Sequence, residues 1–374
     1  MTVPLTADEK RLRLLEKLTV ENTDLRSLNK KLLRRGGFDF EQVIDELHGV
    51  LKQEKSTPFV LNVCEPVKQV RHEHSEIAAL VWSDWHVTEV ISDQETNNAN
   101  KFNSIIAANR ISEIVASTKQ ILGFHSTAYK FDKLWISILG DMISGSHVTD
   151  LELTNDLADS SAAILTARLL HIAILDLREL GIPIEIDCLA GNHGRFSAKL
   201  FSKRMAYDTW DYVIFEMLAY YFEDDPLVTV RIHPGYVVPV KQFGHKYILM
   251  HGTDAKMSKL DALEDAIMAM FDSKIYREFS KETGNAFDII LCGHFHHSII
   301  REKLIVNSCL GGQSELGLAW KVHPLVEASQ TMFGISASHP KTWLYNLDVG
   351  SIRSEKAENK YSKYTKMFLK QRGR

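Results

Sequence analysis

Two rhythms of apolar residues alternate along this chain. Short runs at Ala78–Ser83, Trp135–Leu139, Ile184–Ala190, Tyr247–Met250 and Asp288–Cys292 are too brief for helices and read as buried strands. Longer stretches with helical spacing lie between them, at about 99–122, 153–180 and 207–222. Gly181 and Pro183 end the second of these, a stop signal that returns the chain to strand. The alternation predicts βαβ units and a parallel sheet. Further strands are expected near 228–232, 236–240, 304–308 and 342–348, with those between Val228 and Met250 suggesting hairpins. The 207–222 helix carries Tyr207, Trp210, Tyr212, Phe215, Tyr220, Tyr221 and Phe222, which at helical spacing read as core.

Before Ile77 the pattern changes. Leu14, Leu18, Leu25, Leu28 and Leu32 fit a heptad seam that Glu21 interrupts. Gly36-Gly37 stops that helix, a second is expected at about 40–52, and Ser56-Thr57-Pro58 begins an extended link. The expected organisation is a helical extension over 1–55, a main domain over 56–350 and a basic tail over 351–374. Three heptads make a marginal free coiled coil, so the first helix is expected either to form a homodimer or to dock on its own core.

Composition narrows the class. The chain has 374 residues, 45% of them apolar, and a net charge of −4. That balance fits a globular protein with a large core and argues against a generic nucleic-acid coat. Yet Met1–Gly36 holds nine Lys/Arg against five Asp/Glu, and Ser351–Arg374 holds eight against two. The tail, with Tyr361, Tyr364 and Phe368 interleaved among its lysines, is expected either to fray or to track a phosphate backbone. No run of about 20 apolar residues suggests a membrane span, and the charged start, Met1–Arg13, is expected of a cytoplasmic chain. Cys64, Cys188, Cys292 and Cys309 form no C-x-x-C pair and read as reduced structural thiols.

The chemistry stands just beyond the apolar runs. Asp84-Trp85-His86, Gly140-Asp141, Gly191-Asn192-His193, His251-Gly252 and Gly293-His294-Phe295-His296 each follow a predicted strand. Side chains at the C-terminal ends of parallel strands converge on one edge of a sheet. Hard oxygen donors mixed with imidazoles suit divalent Mn, Fe or Zn. Singly each motif is weak, since Gly-Asp after a strand is ordinary turn chemistry. All five in order define a metal-dependent hydrolase.

The ordered set resembles the calcineurin-like metallophosphoesterase family over about Ile77 to His296. The resemblance implies a two-sheet αββα sandwich and two divalent ions, manganese first, with iron or zinc as alternatives. It implies that Asp84, His86 and His296 hold one ion, that Asn192, His251 and His294 hold the other, and that Asp141 bridges them. His193 would then be the general acid. Two such cations clamp a phosphoryl group and lower the pKa of a water between them.

Departures from the pattern refine it. Gly194 follows His193 where most members carry an acid, leaving Asp150 as one candidate to orient the imidazole. Gly140-Asp141-Met142-Ile143-Ser144-Gly145-Ser146 lacks the arginine of the Ser/Thr phosphatase branch. The Gly191-Asn192-His193-Gly194-Arg195 variant resembles instead the nuclease-like branch encoded by tailed bacteriophages and prophages. Arg195, and Lys199 in the basic loop that follows, are candidate phosphate contacts, as is His147; a solvated loop and a polar turn are the bland alternatives. The expected function is hydrolysis of phosphodiesters in nucleic acid, with a partner subunit conceivable. A small-molecule or cyclic-nucleotide phosphodiesterase or phosphomonoesterase, and a catalytically silent scaffold subunit, are the alternatives.

Overall fold

In the computed structural model the described residues are 75–147, 149–197, 204, 206–253, 287–319, 326–350 and 358–372. The N-terminal heptads, the helix at 40–52, Cys64 and Lys199 lie outside them. Two compact units divide the chain: Asn62–Met367, and Met1–Leu61 together with Phe368–Arg374. Both sheets and all five motifs belong to the first unit. Of the second only 368–372 are described, where the Arg372 guanidinium lies 3.4 Å over the Phe368 ring.

Two sheets form the core. The larger runs β11-β10-β1-β2-β3-β4, with β1 (Ser75–Trp82), β2 (Lys130–Ile138), β3 (Ile184–Cys188) and β4 (Val228–Ile232) all parallel. Antiparallel to these come β10 (Ser329–Ser336), beside β1, and β11 (Leu344–Asp348) at the edge. The smaller sheet runs β5-β6-β7-β9-β8. Here β5 (Val237–Gln242) and β6 (His245–Met250) make a hairpin, while β6, β7 (Ile289–Cys292) and β9 (Leu304–Val306) are parallel; β8 (Ile299–Ile300) closes the edge.

Strand alternation explains why the sheets stack. On β1, Ile77, Ala79 and Val81 share one face and pack with Phe333 and Ile335 of β10. Tyr247 and Leu249 of β6 and Ile289 and Leu291 of β7 meet them from the other sheet. The result is a sandwich with its core between two sheets, the architecture the resemblance implies. The other face of the larger sheet, including Leu80, Trp82, Ile136 and Ile186, is equally buried. Parallel strands need crossover helices. These are α1 (Ser104–His125), the short α2 (Thr149–Thr154), α3 (Asp159–Arg178) and α4 (Trp210–Tyr221). α3 packs against both α1 and α4, and α4 runs against β4.

Several expectations need correction. The helix expected over 153–180 is two, α2 and α3, broken at Asn155–Ala158. Asn155 donates Nδ2 to the Gly145 carbonyl, 2.9 Å away, and Asp156 accepts the Ser104 N–H and hydroxyl, so both side chains are drawn into tertiary bonds. β4 forms no hairpin; the chain crosses from one sheet to the other between β4 and β5. β8 and β10 escaped the sequence pattern. α3 has the length and apolarity of a membrane span, contrary to the expectation that no stretch approaches one, yet its Leu165, Leu169, Leu170, Ile174 and Leu177 are buried within the fold.

Within the C-terminal segment, residues 360–371 form a helix instead of fraying. After α5 (Glu315–Ala319) and β11, the helix α6 (Lys360–Gln371) docks through Tyr361, which is fully buried with its hydroxyl donated to Asp176, 2.6 Å away. Lys360 pairs with the same carboxylate, and Asn359 bonds Asn109 of α1. Tyr361 is therefore a docking side chain, neither frayed nor offered to bases. Lys363 and Lys366 face outward.

Candidate metal centre

The five motifs meet at one edge, because β1, β2 and β3 in one sheet and β6 and β7 in the other end there together. Beyond the strands their loops remain stitched. Asp84 donates its N–H to Gly140 O (3.0 Å), His86 to Asp141 O (3.1 Å) and Gly293 to His251 O (3.0 Å). Nine non-glycine residues among those described have positive φ, and five of them are Asp84, His86, Asp141, His294 and His296. Left-handed backbone at bulky residues is strained, and such strain gathers where a site dictates side-chain direction. Gly140, at φ +88°, completes the turn, and a Cβ there would sit 2.1 Å from the Gly191 nitrogen. Only bare backbone allows the two turns so close.

Potential donor atoms fall into three overlapping triplets, each within 4.8 Å: Asp84, His86 and His296; His86, Asp141 and His193; Asp141, His251 and His294. Asp141 and His86 each belong to two. Asn192 joins the last group through its Oδ1, 3.0 Å from His251 Nε2. The structure thus gathers all seven expected ligands and His193.

Hydrogen bonds behind the site fix which nitrogen faces it. His251 Nδ1 lies 2.6 Å from the Leu139 carbonyl, which can only accept, so Nδ1 carries the proton. Nε2 then faces Asp141 Oδ2 at 2.9 Å and Asn192 Oδ1 at 3.0 Å, two acceptors. On the other side His86 Nε2 and His296 Nε2 face each other at 3.2 Å, where at most one proton fits between them. Lone pairs converging on shared points are what a cation requires, so this donor set fits divalent metals.

The electrostatics agree. Burial pulls His251 down, but Asp141 beside it raises its pKa to about 9, so in the bare site an imidazolium supplies the positive charge. Burial pushes Asp141 up, and His251 and His193 hold it well below the usual carboxylate range. Burial pulls His296 down, while the Cys309 sulfur and Asp84 carry it well above the imidazole range. Burial and the His251 charge bring His294 down to about 4.

His193 Nδ1 faces the Ser144 carbonyl at 3.2 Å, so among the described residues a backbone oxygen orients the ring. Asp150 lies on α2, and its side chain is outside the described residues. His147 stands edge-on to His193 with ring centroids 5.3 Å apart; burial, Arg195 and His193 bring it down to about 4, a neutral imidazole at pH 7. Arg195 donates Nη1 to Asn192 O (2.6 Å) and Nε to Ser197 O (3.0 Å), clamping the loop beside the site.

The sequence pattern missed four supports. Asp211, at the start of α4, accepts the N–H groups of Asp141 (2.8 Å), Gly191 (2.8 Å) and Met142 (3.1 Å). Gln330 of β10 accepts from Ser83 N–H (3.0 Å) and Trp85 Nε1 (3.2 Å) and donates to Ser308 O (2.9 Å). Arg110, buried on α1, donates Nη1 to Leu310 O (2.7 Å), and Leu310 in turn donates its N–H to Asp84 O (2.9 Å). Cys309 lies against His296. Of these, only Thr209-Trp210-Asp211 carried a local signal, that of a capped helix start: Thr209 Oγ1 accepts the Asp211 N–H.

No family model and no curated protein matches this chain. Among solved structures it is similar to a Streptococcus pneumoniae protein described as a predicted phosphoesterase, at 11% identity over 72% of this chain and 98% of that one, TM-score 0.26. It is similar also to Entamoeba histolytica Vps29 complexed with zinc, at 12% identity over 73% and 99%, TM-score 0.27. A third is the Thermus thermophilus sulfate thiohydrolase SoxB, at 9% identity over 81% and 61%, TM-score 0.36. These likenesses are too distant to say what the chain does.

Proposed function

We propose that this chain is a dinuclear-metal phosphoesterase that hydrolyses phosphodiesters, with nucleic acid as the substrate class. The observation that carries the reading is Asp141. One buried carboxylate shared between two donor groups, its Oδ2 without a well-aligned hydrogen-bond donor, is placed as a bridge between two cations would be. Asp84, His86 and His296 would hold one ion, and Asn192, His251 and His294 the other. Bound there, the ions would supply Lewis acidity toward a phosphoryl oxygen and a nucleophilic water at neutral pH.

The chain's own groups do the rest. Leu139 O and Ser144 Oγ hold the rings of His251 and His86 by their Nδ1 atoms. Ser144 O fixes His193 Nδ1–H, which leaves Nε2 as the atom that delivers a proton to the departing oxygen. Arg195 stiffens the Asn192 turn and adds positive charge beside His147 and Asp141. That charge and the resemblance to the phage-encoded branch favour a polyanionic substrate.

The test is Mn-dependent cleavage of end-labelled single-stranded, duplex and hairpin DNA, with Asp141→Ala in parallel. Cleavage that disappears in the variant supports the nuclease reading. Activity confined to a nitrophenyl phosphodiester would move the substrate to a small molecule, and none on either would sink the proposal. His193→Ala should keep its metals and lose about 10²–10⁴-fold in turnover on esters with poor leaving groups. An equal loss on nitrophenyl esters would remove His193 from the acid role.

A further inference from the structure

Gly194 leaves a gap next to His193 that another part of the chain fills. A Cβ built on Gly194 would lie 2.9 Å from Thr209 Oγ1, 3.3 Å from the Asp211 nitrogen and 3.5 Å from Asp211 Oδ1. The volume of a side chain at 194 is thus taken by the first turn of α4. Backbone pairing holds the two segments together: Trp210 donates to Gly194 O (2.8 Å) and Phe196 to Asp208 O (3.2 Å), around an Arg195–Thr209 bridge. Thr209 caps α4, so Asp211 stands in its first turn, where the helix dipole favours a carboxylate.

From that place Asp211 reaches into the site. Its two oxygens accept three backbone N–H groups, from Asp141, Met142 and Gly191, in the two turns that deliver Asp141 and Asn192. The carboxylate is fully buried. Without it, three buried N–H groups that no strand satisfies would lose their acceptor, at a turn already strained at Asp141 (φ 55°).

We infer that Asp211 is a positioning residue for the metal ligands, supplied from α4 beside His193, and that Gly194 is bare to admit the Thr209 cap that seats it. This inference rests on the metal reading of the site.

Manganese binding measured calorimetrically on the folded apoprotein, with thermal unfolding of the same samples, tests it. Asp211→Ala should fold cooperatively and bind Mn about 10–100-fold more weakly, as loss of a group that orients ligands does. Gly194→Glu should lower the melting temperature by crowding Thr209. Asp211→Asn, which keeps one acceptor oxygen, should fall between wild type and Asp211→Ala, and serves as the measure if Asp211→Ala does not fold. Unchanged affinity in folded Asp211→Ala or Asp211→Asn overturns the inference. A wild-type protein that binds no Mn sinks the metal reading instead, and is recognised before any variant is compared.

Discussion

At the scale of single residues, this protein places polar side chains where apolar ones would be the default and meets several of them with partners far away in sequence. Asp187 is an instance away from the metal centre. Its side chain is fully buried and accepts from Trp135 Nε1 (2.7 Å), Arg231 Nε (2.8 Å) and His233 Nε2 (2.7 Å). Burial pushes the carboxyl up, but hydrogen bonds from Arg231 and His233 and the Arg231 charge hold it well below the usual range. An acid depressed in the folded state stabilises above its unfolded pKa of about 3.9 and loses that contribution as pH falls toward the folded value. Asp187→Asn should therefore cost about 1–3 kcal/mol at pH 7, less than a dry ion pair because Arg231 is partly exposed. Urea melts from pH 7 to pH 2 check this, since the gap between the two proteins should narrow below about pH 4. A gap that stayed constant would mean that the charge does not matter.

At the scale of elements, α6 shows what a basic, aromatic stretch can become. Along the sequence, its lysines and tyrosines suit a phosphate backbone as well as a helix. Folded, it separates them, with Tyr361 and Thr365 buried and Lys363 and Lys366 outside. Tyr361→Ala should destabilise the fold by about 3–5 kcal/mol, the usual cost of emptying an aromatic site. Tyr361→Phe removes only the hydroxyl bonded to Asp176 and should cost about 1 kcal/mol. Equal losses for the two variants in chemical denaturation would mean that the ring contributes no packing. Deleting this helix is then a poor test of nucleic-acid binding, because it removes a structural element together with its charges.

At the scale of the whole molecule, the two sheets are joined twice, by apolar packing in the middle and by the motif loops at one edge. Candidate ligands come from both sheets: Asp84, His86, Asp141 and Asn192 from the larger, His251, His294 and His296 from the smaller. A bound cation would thus tie the sheets together, and metal and stability should be linked. Saturating Mn at about 100 times its Kd should add about 2.7 kcal/mol, read as a rise in melting temperature that EDTA reverses. Asp141→Ala should show no such rise. A wild-type melting temperature indifferent to Mn would sever the link.

Much of the site was legible in the sequence because its chemistry is local. The candidate ligands sit in short motifs at strand ends, and brief apolar runs followed by these motifs mark those ends without any knowledge of neighbours. The parallel strands and their order along the chain follow from the same pattern; of the seven aromatic residues read as core near α4, only Phe215, Tyr220 and Phe222 are buried, and Tyr207 is exposed. The sequence could not show which polar residues are internal. β10 was invisible because Ser329, Gln330 and Thr331 read as surface, yet all three are buried, and Gln330 bonds across to the Asp84 loop 247 residues away. Asp211 was silent for the same reason: an acid two residues past a capping threonine looks like an ordinary helix start. A buried polar group is favourable only when distant partners meet it, so its place is decided by tertiary structure alone. The residues that would hold the metals were written in short motifs, and the residues that hold those motifs in place were decided by the fold.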